Sequence, residues 1–216
     1  MGSLHGGGVV RVVFSKLSPK HRLRAWVKLL ALTADDGADA PPRGAQTIGR
    51  NKDGGVTIAT LRPPAPQQAR TLLDLLVALC RRGMTTPLPL APACSHEYAR
   101  ARSEGKNPAG AAWPAGKAWT IWNSQQKRNF GDGGDAEHLQ VWGDVPLAAL
   151  LEIPPDPALV PPAAPRMLAD GPRPLLGSLR EEPHLFGQLA RLVWEPLLAH
   201  EGIREVGGAA GVGGAP

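Results

Sequence analysis

Short runs of β-branched residues and a helical rhythm of period 3.6 pattern this chain of 216 residues. Val9, Val10, Val12, Val13 and Phe14 form a β-branched and aromatic run, which predicts a buried strand. Ser18-Pro19 predicts a helix start just after it. The serine oxygen suits the first free N–H groups, and proline suits a position where its missing N–H is not needed. Leu23, Trp26, Val27 and Leu30 follow at i, i+3, i+4 and i+7 and make one apolar face.

Residues 46–50 and 56–61 read as two strands. The segment between them, Asn51-Lys52-Asp53-Gly54-Gly55, is a turn of residue types that tolerate positive φ, and Pro63-Pro64 stops the second strand. Residues 66–82 predict a second helix with Ala69, Leu72, Leu73, Leu76, Leu79 and Cys80 inward and Gly83 as its stop. Residues 85–93 read as extended, with Ser95 capping a short helix through Glu97, Tyr98 and Arg102. Asp135 begins a short segment through His138 toward Val141-Trp142. Residues 144–174 hold nine prolines and read as a long loop. A last helix is predicted over 183–199, with Phe186, Leu189, Leu192 and Val193 inward and Pro196 kinking or ending it. Strand, helix, hairpin and helix in this order predict an α/β domain, a mixed sheet flanked by helices, over 9–204. Residues 1–8 read as a flexible lead and 205–216 as a disordered Gly/Ala tail.

Charge sharpens the first helix. The chain carries a net +5, and no Asp or Glu precedes Asp35. Lys20, Arg24 and Lys28 stand at i, i+4 and i+8, a basic stripe to which Lys16, His21 and Arg22 add. Such a stripe suits phosphates, which position nucleic acid without reading its sequence, or an acidic partner surface. The plainer reading is a solvated face with arginines paired to acids such as Asp74 or Glu97.

The remaining chemistry is thin. A 43% hydrophobic content is enough to bury a core. Cys80 and Cys94 are too few for a four-cysteine metal site, and they suit a reduced cytoplasm. No apolar run approaches the ~20 residues of a membrane helix, and the start lacks a signal-peptide layout. No phosphate-binding Gly-rich loop with its Lys and no nucleophile elbow occurs. Asp135-x-x-His138, with Glu137 between, has metal-like spacing, but an N-terminal cap followed by a packed histidine fits it better. Cys94-x-His96 is weaker still. Trp113, Trp119, Trp122, Trp142 and Trp194 suit core packing better than base stacking, given their apolar neighbours.

Four segments in order carry a resemblance. They are F-S-K-L-S-P-K-H-R-L-R-A-W-V-K-L-L-A-L from Phe14; Pro87-Leu88-Pro89-Leu90 with Tyr98-Ala99-Arg100-Ala101-Arg102; Asp135-Ala136-Glu137-His138 with Val141-Trp142-Gly143; and Phe186-Gly187 with Leu192-Val193-Trp194-Glu195-Pro196-Leu197-Leu198. Over roughly 10–201 the chain resembles the C-terminal domain of the RecC family, gamma subunits of bacterial RecBCD helicase–nucleases (exodeoxyribonuclease V). The resemblance implies a fold like the PD-(D/E)XK nucleases without their active site, here cut short at its N-terminus. It implies RecB-type beta and RecD-type alpha partners, double-stranded DNA ends as substrate, double-strand break repair, and ATP and Mg²⁺ used by the partner subunits. No catalytic or metal residue is expected in this chain. Lys16, Lys20, His21, Arg22, Arg24 and Lys28 are its candidates for binding DNA or a partner. The competing enzyme reading is a small Mg²⁺ nuclease that uses Lys16 with distant acids such as Asp53 or Asp135. A third reading is an isolated DNA-binding fragment.

Overall fold

In the computed structural model the sheet starts one strand earlier than the apolar run suggests. The structure describes residues 2–5, 8–35, 43–106, 117–123, 125–126, 129–159, 179 and 181–207. The expected flexible lead contains β1 (Gly2–His5), which pairs antiparallel with β2 (Gly8–Lys16). Helix α1 (Pro19–Asp35) then crosses to β3 (Ala45–Arg50), which lies parallel to β2. β4 (Val56–Leu61) returns antiparallel, and the last strand, β7 (Glu201–Val206), pairs antiparallel with β4. The order β1-β2-β3-β4-β7 is a mixed five-stranded sheet with flanking helices, the expected α/β class. β7 runs to Val206, past the position 205 from which a tail is expected; residues 208–216 lie outside the described residues.

The chain divides into two units, residues 1–75 with 199–216, and residues 76–198. In the first, α1 lies against β2 and β3. It covers the sheet face that carries Val9, Ala45, Thr47, Ala59 and Leu61, all buried. The buried residues of α1 are Arg22, Ala25, Trp26, Leu29, Leu30 and Thr33, one position round from the predicted face. Val27 is exposed and Arg22 points inward instead. The shift has a cause: a carboxylate on β7 receives Arg22, so a cation stands on the apolar side of the helix.

The strand prediction for 9–14 holds, but its burial does not. Val9 is buried, while Val12 is 57% and Phe14 91% exposed. Side chains alternate across a strand, and α1 covers one face only. The hairpin turn is as expected: the Asn51 side-chain oxygen accepts the Asp53 and Gly55 N–H groups at 3.0 and 2.6 Å, and Gly54 takes φ 80°. In α2 (Pro66–Gly83), Ala69 and Leu72 are buried, and Arg70 Nε donates to the Ala34 carbonyl at 2.8 Å.

The second unit is mainly helical. α3 (Pro92–Ser103) begins before Ser95, which sits inside the helix with its hydroxyl donating to the Ala91 carbonyl at 2.5 Å, so it is not the cap. α4 (Lys117–Trp122) is followed by the two-residue pair β5 (Gln125–Gln126) and β6 (Asn129–Phe130), a short 3₁₀ turn, and α5 (Ala136–Trp142). The expected loop over 144–174 contains α6 (Leu147–Leu151) and a 3₁₀ turn at Pro157–Leu159; residues 160–174 lie outside the described residues. α7 (Leu185–His200) runs through Pro196, which does not end it. A proline four residues from the helix end removes a single backbone bond, and the last turn goes on. Leu79 of α2 is buried, but Cys80, placed inward by the helical pattern, is exposed. Cys94, Tyr98, Trp122, Leu147, Leu150 and Phe186 form the core, with Trp119 and Trp142 against it. Trp194 is buried too, so these four tryptophans are packing residues, while Trp113 lies outside the described residues.

Candidate nucleic-acid and partner interface

The junction of β2 and α1 positions four of the six candidate residues outward, leaves His21 half-buried and turns Arg22 inward. Ser18 ends the strand connection, and its carbonyl accepts the His21 N–H at 3.1 Å, which starts the helix. The expected serine side-chain cap is replaced by histidine. His21 Nδ1 accepts the Ser18 N–H at 3.3 Å and lies 3.2 Å from its hydroxyl. This is the geometry of a capping box with His in the place usually held by Glu. The His21 ring must be neutral at Nδ1 to accept. Partial burial, with the Arg11 and Arg24 cations beside it, holds its pKa below the usual histidine range.

Lys20, Arg24 and Lys28 are exposed along α1, as their i, i+4, i+8 spacing predicts. Lys16 is exposed at the end of β2. Among the described residues, no acid pairs with Lys16, Arg24 or Lys28 within ion-pair distance. Arg22 leaves the group. Its Nη1 donates to Glu201 Oε2 at 2.7 Å, with the two side chains 8% and 3% exposed. It serves the interior of the first unit, and its partner is neither Asp74 nor Glu97.

Sequence reading missed two cations. Arg50 is the register partner of Lys16 across the parallel β2–β3 pair, and Arg204 is the partner of Ile58 across β4–β7. Alternation in 46–50 puts Arg50 on the same face as Ile48. Which strand it would lie beside required the pairing itself.

The enzyme reading gains no geometry. Asp53 sits in the hairpin turn, and Asp135 caps α5 by accepting the Glu137 N–H at 3.3 Å. His138 stands edge-on to Trp122 with ring centroids 4.6 Å apart, and burial lowers its pKa. Cys94 is buried, and its thiol donates to the Ala118 carbonyl at 3.2 Å. Burial first, then the Asp132 carboxylate, pushes that thiol upward, which keeps it protonated and inert. His96 is buried edge-on to Trp194. Among the described residues, no group of three His, Cys, Asp or Glu side chains is arranged to hold a metal.

The densest polar chemistry lies in the second unit. Glu182, fully buried, accepts from Tyr98 Oη at 2.6 Å and from Arg102 Nε and Arg191 Nη1 at 2.8 Å each. Arg191 Nε also donates to Glu195 at 2.5 Å. Burial pushes the Glu195 carboxyl up, against the pull of Arg191. His184 Nδ1 accepts the Gly187 N–H at 2.9 Å. Each carboxylate has its cations, so the cluster ties α3 to α7 rather than offering an open ligand position. Tyr98 and Arg102 fall in a segment that carries the resemblance, yet the acid that joins them is 80 residues further on, which no local pattern reveals.

The comparisons with known proteins point one way. The family described as the RecC C-terminal domain matches residues 1–103. Two relatives, each the RecBCD enzyme subunit RecC, come from Mycobacterium tuberculosis strain H37Rv (35% identical over 202 residues) and Mycolicibacterium smegmatis (31% over 207 residues). Both alignments cover 91% of this chain and 15% of the relative, so the chain spans about a seventh of their length. The four ordered segments, the α/β sheet and these matches together place the chain with the C-terminal domain of RecC.

Proposed function

We propose that this chain acts as a non-catalytic C-terminal piece of a RecC-type subunit within a cytoplasmic RecBCD-type helicase–nuclease. It packs against the RecB-type beta subunit, in an assembly that also holds a RecD-type alpha subunit, and it contributes to the path of double-stranded DNA ends during double-strand break repair by homologous recombination. ATP and Mg²⁺ serve the partner subunits. The nuclease-like descent of its sheet belongs to the same proposal.

The observation that carries this reading is the combination of RecC similarity over 91% of the chain with an exposed basic row, Lys20, Arg24 and Lys28, in a stretch of sequence that holds no Asp or Glu before Asp35. A helix face with three cations at one-turn spacing contacts phosphates without reading bases.

The test is a salt titration of duplex binding, followed by fluorescence anisotropy. Wild type should lose affinity linearly in log–log form. The triple variant Lys20→Glu/Arg24→Glu/Lys28→Glu should lower the slope by roughly 0.9 for each phosphate contact removed. An unchanged slope overturns the DNA role of α1. Cleavage of linear DNA by the purified chain with Mg²⁺, abolished by Lys16→Ala, overturns the non-catalytic role.

A further inference from the structure

The sheet of the first unit has a second face, turned away from α1. Val12, Ile48 and Ile58 are register partners across β2, β3 and β4 and form one apolar row on it. Phe14 follows two residues on along β2, where the β2–β3 register shifts, and is 91% exposed, the most exposed large apolar side chain described. Cations border this row. Lys16 faces Arg50 across the parallel pair, and Arg204 ends the row on β7. The described positions of this face in β2, β3, β4 and β7 include no Asp or Glu, and none of the three cations has an ion pair among the described residues.

Like charges set opposite one another in a ladder are destabilising. An aromatic left almost wholly in water gives up the burial that its type normally supplies. Both features occur in one small area, and both are relieved by the same kind of contact. We infer that this open sheet face docks a protein surface that is apolar at its centre and acidic at its rim.

Charge complementarity selects that occupant over the others. A second copy of this chain, stacked face to face, would set Lys16, Arg50 and Arg204 against themselves. Nucleic acid would meet the cations, but Phe14 would offer it a single stacking ring beside aliphatic Val12, Ile48 and Ile58, where a strand-binding sheet presents several. The inference rests on the proposed place of the chain within a larger subunit and assigns that packing to this face, distinct from the DNA-facing row on α1.

The experiment uses the whole chain. The probe is a complex of RecB-type and RecD-type subunits with a RecC-type subunit lacking the segment that matches this chain. Affinity for immobilised probe is measured for wild type, Phe14→Asp, Lys16→Glu/Arg50→Glu, and Lys20→Glu/Arg24→Glu/Lys28→Glu, each first shown to be folded by far-ultraviolet circular dichroism. Both sheet variants should bind at least about tenfold more weakly, as for loss of a central anchor, and the α1 variant within about twofold of wild type. Sheet variants that bind as wild type does overturn the docking face and leave the subunit reading standing. Wild type that fails to bind the probe overturns the subunit reading, and the docking face with it. Sheet variants that lose DNA affinity but keep the probe assign the face to nucleic acid instead. A chain that dimerises in sedimentation, and becomes monomeric on Phe14→Asp, assigns it to a second copy.

Discussion

Arg22 Nη1 lies 2.7 Å from Glu201 Oε2, and this bond joins the first helix to the last strand across 179 residues of sequence. Both side chains are nearly sealed from water. Burial pushes the Glu201 carboxyl up, and Arg22 pulls it down. A buried pair is worth little against a well-packed apolar replacement, but a broken one leaves an uncompensated charge. Arg22→Met and Glu201→Leu should each cost about 3–5 kcal/mol in urea unfolding, while the double variant recovers most of that loss. Additive losses would show that the two residues act separately.

Gly187 should tolerate no side chain. A Cβ there would stand 2.5 Å from Glu182 Oε2 and 2.8 Å from both His184 Cε1 and Tyr98 Oη. Gly187→Ala should therefore destabilise by about 1–3 kcal/mol, the usual range for overpacking. Gly202→Ala, with nothing within 4 Å of the new methyl, is the matched control. Thermal melts of the two variants should differ clearly.

Acid should weaken the second unit through His184. Burial holds its pKa below the ordinary value near 6.5, and Nε2 has no hydrogen-bond partner among the described residues. A group with a lowered folded pKa contributes stability that is present above its unfolded pKa and is lost as pH falls through the folded value. The urea midpoint should hold above about pH 6.5 and decline below it. His184→Asn, which can still accept the Gly187 N–H, should make the decline shallower. A His184 ring that titrates by NMR at or above the ordinary histidine value contradicts this account.

Asp132 caps α3 from outside the helix. One carboxylate oxygen accepts the Ala93 and Cys94 N–H groups at 2.8 and 2.6 Å. Asp132→Ala should cost about 1–2 kcal/mol, and Asp132→Asn less. The thiols give a second readout. Cys80 is exposed and Cys94 buried, so a disulfide reagent should titrate one thiol in the native chain and two after unfolding. Prompt reaction of both in the native chain would mean that Cys94 is not sealed.

Much of this fold is legible in the sequence where local chemistry decides. The hairpin of strands read at 46–50 and 56–61 follows from its turn, Asn51-Lys52-Asp53-Gly54-Gly55, and the Asp135 cap follows from a carboxylate before a short apolar segment. What local pattern misses depends on distant partners. The inward face of α1 is shifted because Glu201 waits on β7, and Phe14 looks like core until one knows that α1 covers a single face of the sheet. Of the candidate site, the row Lys20, Arg24 and Lys28 is visible from spacing alone. Arg50 joins Lys16 only once the parallel pairing is known, because parallel neighbours come from segments far apart in the chain.

The position of β7 bears on how the molecule is made. It supplies an edge of the first unit's sheet and the partner of Arg22, yet it is among the last described segments to be synthesised. On the ribosome the first unit waits for it, and the Arg22–Glu201 pair cannot form until Glu201 emerges. A piece cut after residue 103 contains the whole matched family segment but lacks this strand, and it should collapse without locking into a single structure.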